Sequence, residues 1–374
     1  MSKRKGKCPL ILLVGSEIFM DREKKRAESA GFRVVKVPHH RISTFSIYVF
    51  PIISPFRFLS LLRMLKPNVV HVYNVTTAMV AVPLCKLLKI PVIVHNLEIW
   101  SLNALQFGRT LIIKALGLFL FFILEALVLH IADVVIVVSK TFMKQIYRMY
   151  RVNLQKVVII RNILPELKNL PCPIPDLRED TLTLVYAGVL HKDRIKIMEN
   201  VIRSVALTRN PKIRLIVVGS ELGSTSPPER LKRLTKKLGV ADQVTFTGWV
   251  SRKEALTYLS NAQICLVIDD YKGIFTRFVA PTKIYDYLRV CNLTISFPSY
   301  SIIEDFPDTI LYTDYEPRRF ASLLNRLFKI FHKKEFKNKI IKVRNQAISK
   351  LYKMEEEDRK TLINVYYKLI KMCK

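Results

Sequence analysis

Twice along this chain, short runs of β-branched and aliphatic residues alternate with spacers long enough to form helices. No other feature narrows the fold as far. The first series of apolar runs lies at 10–14, 33–37, 69–72, 92–95, 134–138 and 157–160. The second lies at 183–187, 214–218, 244–246, 264–268, 293–296 and 309–312. Most of the runs are continuous stretches of apolar residues rather than alternating ones, so each strand needs cover on both faces, as in a parallel sheet wrapped by helices. Helical patterns at 197–207 and 229–238 supply such cover, the second closed by Gly239 as a C-cap. Between the series, 164–180 holds Pro165, Pro171, Pro173 and Pro175 without periodicity and reads as a linker. The expected class is therefore α/β: two doubly wound units and a basic helical tail, in line with the prior for 374 residues.

In such sheets ligands bind beyond the carboxyl ends of the strands, near the topological switch point. With two units, the expected active site is a cleft between them. Lys and Arg number 61 against 30 Asp and Glu, a formal charge of +31. That field attracts polyanions: nucleic acid, an anionic membrane face or phosphorylated substrates. No helix-turn-helix, zinc-finger or RNP pattern occurs, so nucleic acid is not an expected partner. Cys8, Cys85, Cys172, Cys265, Cys291 and Cys373 form no CxxC pair and read as separate thiols, several buried, in a reducing cytoplasm. A basic start before an apolar stretch at 9–15 resembles a signal peptide, but the stretch is short and lacks a cleavage site; a first buried strand fits better.

Leu111–Ile131 is almost wholly apolar, broken by Lys114, Glu125 and His130. A buried helix is the first reading, an interfacial helix the second and a spanning helix the third, because charges near the centre of a span are costly. The stretch 45–65 mixes Phe45, Tyr48, Phe50, Phe56 and Phe58 with Arg57 and Arg63. It suits a membrane interface, or a loop and helix packed on the sheet.

Four segments carry candidate chemistry. After the run ending at Ala187 come Gly188, Val189, Leu190, His191, Lys192, Asp193 and Arg194, then a helix. Glycine admits a ligand to the backbone, and a helix N-terminus with basic side chains holds anions. Pro281-Thr282-Lys283-Ile284-Tyr285-Asp286 places Lys283 and Asp286 on one helical face, and a carboxylate there can accept ribose hydroxyls. His95, Glu98 and Trp100 follow a strand of the first unit; they can serve as base, hydroxyl acceptor and sugar-stacking ring. Val218-Gly219 and Thr247-Gly248 end strands in glycine, as nucleotide-binding units do.

In this order the segments resemble the family 4 retaining glycosyltransferases of GT-B fold. Asn68-Val69-Val70-His71-Val72 is similar to the family's D-V-V-H strand, and Ala132-Asp133-Val134-Val135-Ile136-Val137-Val138-Ser139 to its A-D-x-V-I-x-V-S stretch. Val244–Val250 in the pattern V-x-F-x-G-x-V, and Pro281 to Leu288 as P-x-K-x-x-E-Y-L, resemble its second half. The resemblance implies Rossmann-like domains at 1–164 and 165–350, with a last helix at about 351–374 packed back on the first. It implies a nucleotide-sugar co-substrate and neither cofactor nor catalytic metal, so Asp269-Asp270 is not read as a metal site. The diphosphate would fall to Gly188, Lys192, Arg194, Lys196 and Lys283, the ribose to Asp286, and catalysis at the acceptor to His95 and Glu98. Where the family carries the first glutamate of a Glu-x7-Glu pair, an arginine and a histidine, this chain has Phe278, Val189 and Leu97, with Asp286 at the second glutamate and His95 at the family's aspartate position.

The expected activity is transfer of a sugar to a glycan or lipid-linked acceptor by an enzyme lying peripherally on the cytoplasmic face of the cell membrane, with an anionic membrane surface as partner. The alternatives are a non-catalytic glycosyltransferase-like subunit of a membrane complex and a sugar-nucleotide epimerase of the same fold.

Overall fold

The computed structural model describes residues 8–15, 17–38, 43–47, 50–102, 111–163, 180–221, 224–269 and 281–372. The linker at 164–179, Asp270 and Phe278 lie outside them. The chain divides into two compact units, Met1–Asn162 with Met354–Lys374, and Ile163–Lys353.

The first unit is built on β1 (Leu10–Gly15), β2 (Arg33–Pro38), β5 (Val69–Tyr73), β6 (Val92–Asn96), β7 (Val134–Val137) and β8 (Val157–Ile159). All pair in parallel, in the order β2-β1-β5-β6-β7-β8. Its helices are α1 (Glu17–Glu28), α2 (Pro55–Leu65), α3 (Val75–Leu87), α4 (Leu111–Ile131) and α5 (Lys140–Tyr150). A small antiparallel hairpin, β3 (Ser43–Ile47) and β4 (Phe50–Ile53), precedes α2 and was not foreseen. The first apolar run is β1, fully buried and second in the sheet.

The second unit has β9 (Leu182–Ala187), β10 (Ile213–Val218), β11 (Val244–Gly248), β12 (Ile264–Val267), β13 (Leu293–Ser296) and β14 (Leu311–Tyr312). They pair in parallel as β11-β10-β9-β12-β13-β14. The chain starts in the middle, winds outward one way and then the other, which puts the switch point between β9 and β12. Its helices are α6 (Lys192–Thr208), α7 (Glu229–Lys237), α8 (Arg252–Ser260), α9 (Lys283–Val290), α10 (Tyr300–Asp305) and α11 (Pro317–Phe331). These are two Rossmann-like sheets with flanking helices and a helical C-terminal region.

The tail is one helix, α12 (Lys334–Met372). Its last turns belong to the first unit. The Tyr366 ring meets Phe32 edge-on at 5.8 Å, and Tyr367 donates to the Ala30 carbonyl at 3.0 Å. Asp358 accepts from the Arg161 amide at 2.8 Å and from its guanidinium at 3.0 Å.

Two expectations are corrected. Leu111–Ile131 is not a buried helix: only 17% of the window Lys114–Ile131 is buried. Its glutamate explains the inward face. Glu125 accepts from the Trp100 amide (3.3 Å), the Ser101 amide (2.9 Å) and the Tyr150 hydroxyl (2.7 Å), so it caps the turn that follows β6. Burial raises its pKa and these donors offset part of the rise. Nor are Cys265 and Cys291 separate thiols: they form a disulfide joining β12 to the end of α9. Their Cα atoms are 6.1 Å apart, a separation that suits a bridge.

Candidate functional site

At the switch point of the second sheet, β9 ends in Gly188 and β12 runs on to Asp269. Tyr287 of α9 fixes the end of β9: its hydroxyl donates to the Ala187 carbonyl at 2.9 Å and accepts the Ala187 amide at 2.8 Å. Gly188 has φ +145° and Gly219, at the end of β10, φ +123°. A Cβ on Gly219 would stand 2.2 Å from the Gly188 carbonyl oxygen, so no other residue fits where these strand ends converge.

Beside Gly188 the chain turns into α6. His191 is the N-cap residue, with no side-chain cap bond, and Lys192 opens the helix. Lys192 and Lys196 are exposed on its first turns. The positive end of the helix dipole is thus flanked by two solvated ammonium groups.

Arg194 and Lys283 turn inward and share one carboxylate. The Arg194 Nε donates to Asp269 Oδ1 at 2.7 Å, while its Nη1 donates to the Val189 carbonyl at 2.9 Å. Lys283 Nζ is 2.9 Å from Asp269 Oδ2 and 4.8 Å from the centre of the Tyr186 ring. Tyr186 in turn donates to the Val189 carbonyl at 2.9 Å. Burial pushes Lys283 down to about 8, against the pull of Asp269. Burial acts to raise the Asp269 carboxyl, but Lys283 and Arg194 overcome it and hold the carboxyl below its usual range. Two cations on one anion leave this buried group one positive charge in excess.

Asp286 acquires a partner the sequence reading did not anticipate. Arg252 grips it as a fork, Nε to Oδ2 at 3.1 Å and Nη2 to Oδ1 at 2.7 Å, with Arg289 at 3.7 Å. Arg252 is placed by a capping box at the start of α8, in which Ser251 Oγ accepts the Glu254 amide and Glu254 accepts the Ser251 amide. Lys283 and Asp286 share a helical face, as expected, but each pairs with another element rather than with the other.

In the first unit, Glu98 is exposed on the loop after β6. His95 does not present its ring to a ligand. It lies fully buried opposite Tyr73 in the sheet register, its ring stacked on Tyr73 at 5.0 Å, with Nδ1 3.3 Å from His71 Nε2. Desolvation, with like charge from His71, holds it far below its ordinary pKa and neutral. His71 is pushed down to about 4 by burial and meets the Tyr366 hydroxyl at 2.8 Å. Trp100 is buried as well, in the turn capped by Glu125, and is not an exposed stacking platform.

The structure therefore gathers Gly188, Arg194 and Lys283 at one point, sets Lys192 and Lys196 on the adjoining helix, holds Asp286 on Arg252, and separates His95 from Glu98. Asp269, Arg252, Tyr186 and Tyr287 escaped the sequence reading as site residues. One signal was present for Asp269: it is the first acidic residue after an apolar strand, where α/β sheets bind ligands. Among the described residues no group of three or more His, Cys, Asp or Glu could hold a metal ion.

Residues 16–164 match the family model Glycosyltransferase Family 4, and residues 173–274 match Glycosyl transferases group 1. No curated protein sequence matches the chain. Solved structures match it at low identity. Sucrose-phosphate synthase from Thermosynechococcus elongatus aligns with a TM-score of 0.72 at 15% identity, over 97% of this chain and 100% of its own. A glycosyltransferase from Rickettsia africae gives 0.66 at 11%, over 98% and 100%. HepE from Anabaena, solved in complex with UDP, gives 0.63 at 12%, over 94% and 99%. With both family models in sequence, each on its own Rossmann-like sheet, the chain belongs to the family 4 glycosyltransferases of GT-B fold.

Proposed function

We propose that this glycosyltransferase takes its sugar from a nucleoside-diphosphate sugar and passes it, with retention of configuration, to a glycan or lipid-linked acceptor at the cytoplasmic face of the membrane. The observation that carries the donor assignment is the Arg194–Asp269–Lys283 group beside Gly188 and the start of α6. As the bond from the anomeric carbon to the phosphate oxygen breaks, negative charge grows on the leaving diphosphate. Donors fixed beforehand at that position stabilise the charge without reorganising. Arg194 and Lys283 are held in place by Asp269, and the first amides of α6 with Lys192 and Lys196 add dipole and charge. In this reading these cations take the part a divalent ion would otherwise play, and transfer persists in a chelator.

Asp286 remains the candidate for the ribose. A carboxylate has about four lone-pair sites, so oxygens accepting from Arg252 can also accept from hydroxyls. Glu98 is the candidate at the acceptor. His95, buried and neutral, acts there only by positioning the end of β6. Uridine nucleotides come first for testing, because HepE has been solved with UDP and with UDP-glucose.

The test is a thermal-shift panel of UDP, GDP and ADP on wild type, Arg194→Ala and Asp286→Ala. A ligand at 100 times its dissociation constant adds about 2.7 kcal/mol. One nucleotide is expected to stabilise wild type, with the response lost in Arg194→Ala and weakened in Asp286→Ala. Silence of wild type toward all three would sink the donor assignment. A second reading, a glycosyltransferase-like subunit without activity, draws on Leu97 and Val189 in place of the family's histidine and arginine. Nucleotide binding with neither transfer nor hydrolysis would favour it.

A further inference from the structure

The outer face of α4 is unlike any other exposed surface among the described residues. Ile112, Leu116, Phe119, Ile123 and Leu127 follow one another at intervals of four and three, so they form a single stripe along the helix. All are exposed: Ile112 80%, Leu116 65%, Phe119 64%, Ile123 46% and Leu127 51%. Soluble proteins seldom leave so continuous an apolar patch in water, and one of this size marks an interaction site. We infer that this stripe lies in the surface layer of an anionic phospholipid bilayer, parallel to the membrane plane, as a monotopic anchor.

Three observations choose this occupant and this orientation. The first is the position of Glu125, the acidic residue of the helix. It is fully buried and accepts hydrogen bonds from the Trp100 and Ser101 amides and the Tyr150 hydroxyl. A helix crossing the bilayer would have to tear this carboxylate from its donors and carry it into hydrocarbon. A helix lying flat keeps Glu125, Val128 and Leu129 in the protein and offers only the apolar stripe to lipid.

The second is charge. The chain carries +31, and α4 exposes no acidic side chain. A second copy, bringing the same +31, is repelled over the distances where an anionic leaflet attracts. Lys114, near the start of α4 and half-buried, has the long stem that lets an ammonium group reach headgroups. The third is the neighbourhood. α3 packs against both α4 and α2, and α2 exposes Phe56 and Met64 together with Arg57 and Arg63. Aromatic and aliphatic side chains interspersed with arginine suit the boundary between headgroups and acyl chains.

This inference rests on the membrane-face part of the proposed function and is independent of the donor site, whose residues all lie in the other unit. The test is flotation of the purified full chain with phosphatidylcholine vesicles, with and without about 30 mol % phosphatidylglycerol. Wild type is expected to float with the anionic vesicles, less so as salt is raised. The triple variant Leu116→Glu, Phe119→Glu, Ile123→Glu is expected to lose binding by about tenfold or more at an unchanged melting temperature. A single label decides the matter if that variant fails to fold: Phe119→Cys in a background with Cys8, Cys172 and Cys373 replaced by Ser, carrying an environment-sensitive dye, should shift its emission to the blue on adding anionic vesicles. Wild type that stays in solution, or a folded triple variant that floats like wild type, would overturn the inference. So would a label that ignores vesicles while the wild-type chain elutes as a dimer, since the stripe would then join two copies.

Discussion

Replacing Asp269 by Asn keeps the shape of the side chain and removes the charge on which Arg194 and Lys283 converge. Breaking a buried ion pair from one side costs about 3–5 kcal/mol, because the remaining charge is left without compensation. Two features place this case at the low end. Arg194 keeps 22% of its side-chain surface in water. Lys283, already brought down to about 8 by burial, can give up its proton when its anion is gone. A loss of about 3 kcal/mol remains, and for a unit the length of Ile163–Lys353 this lowers the melting temperature by roughly 6–12 °C. The assay is differential scanning calorimetry at pH 7, with and without pyrophosphate. The orphaned cations should make the variant gain more from pyrophosphate than wild type does, since the polyanion no longer competes with a carboxylate. If Asp269→Asn melts within about 1 °C of wild type, Asp269 does not hold the two cations and the reasoning about this site fails.

Three further outcomes follow from the same coordinates. Lys283 is charged below about 8 and neutral above, so the affinity for a nucleoside diphosphate should fall as pH rises through that value, by up to tenfold per pH unit, and a calorimetric titration of Lys283→Met should show no such break. The stability contributed by this lysine runs the opposite way: between about 8 and its unfolded value of 10.5 the unfolded chain holds more protons, so folding gains as pH rises. Gly219→Ala should destabilise the second unit in urea by more than about 2 kcal/mol, because its Cβ would meet the Gly188 oxygen at 2.2 Å and its φ of +123° is strained for any side chain. Tyr366→Ala, which empties a fully buried ring site against Phe32 and His71, should cost the first unit about 3–5 kcal/mol by urea titration, and a wild-type midpoint would contradict the packing of α12 on that unit.

Much of the fold was legible because it is written in local patterns. The strands were readable as continuous apolar runs, since a strand covered on both faces tolerates little else; the hairpin at 43–53 escaped because its residues were read for composition rather than alternation. Gly188, Arg194 and Lys283 stand out in the sequence because glycine at a strand end and bases at a helix start depend on few neighbours, and the fold brings the three together. His95 was misjudged for a related reason. Its strand is buried on both sides, so position along the strand did not reveal which way the ring pointed.

By itself, then, the sequence determined two parallel sheets, a basic loop after a strand-end glycine in the second, and membership of a glycosyltransferase family. Only the tertiary structure decided which charges meet. Asp269 reaches Arg194 and Lys283, and Arg252 reaches Asp286, across separations of up to 75 residues that carry no periodic signal. The same holds for α4. An apolar pattern states that side chains avoid water, but whether protein or lipid covers them depends on which neighbours the fold brings near, and here the fold buries Glu125 and leaves the opposite stripe bare.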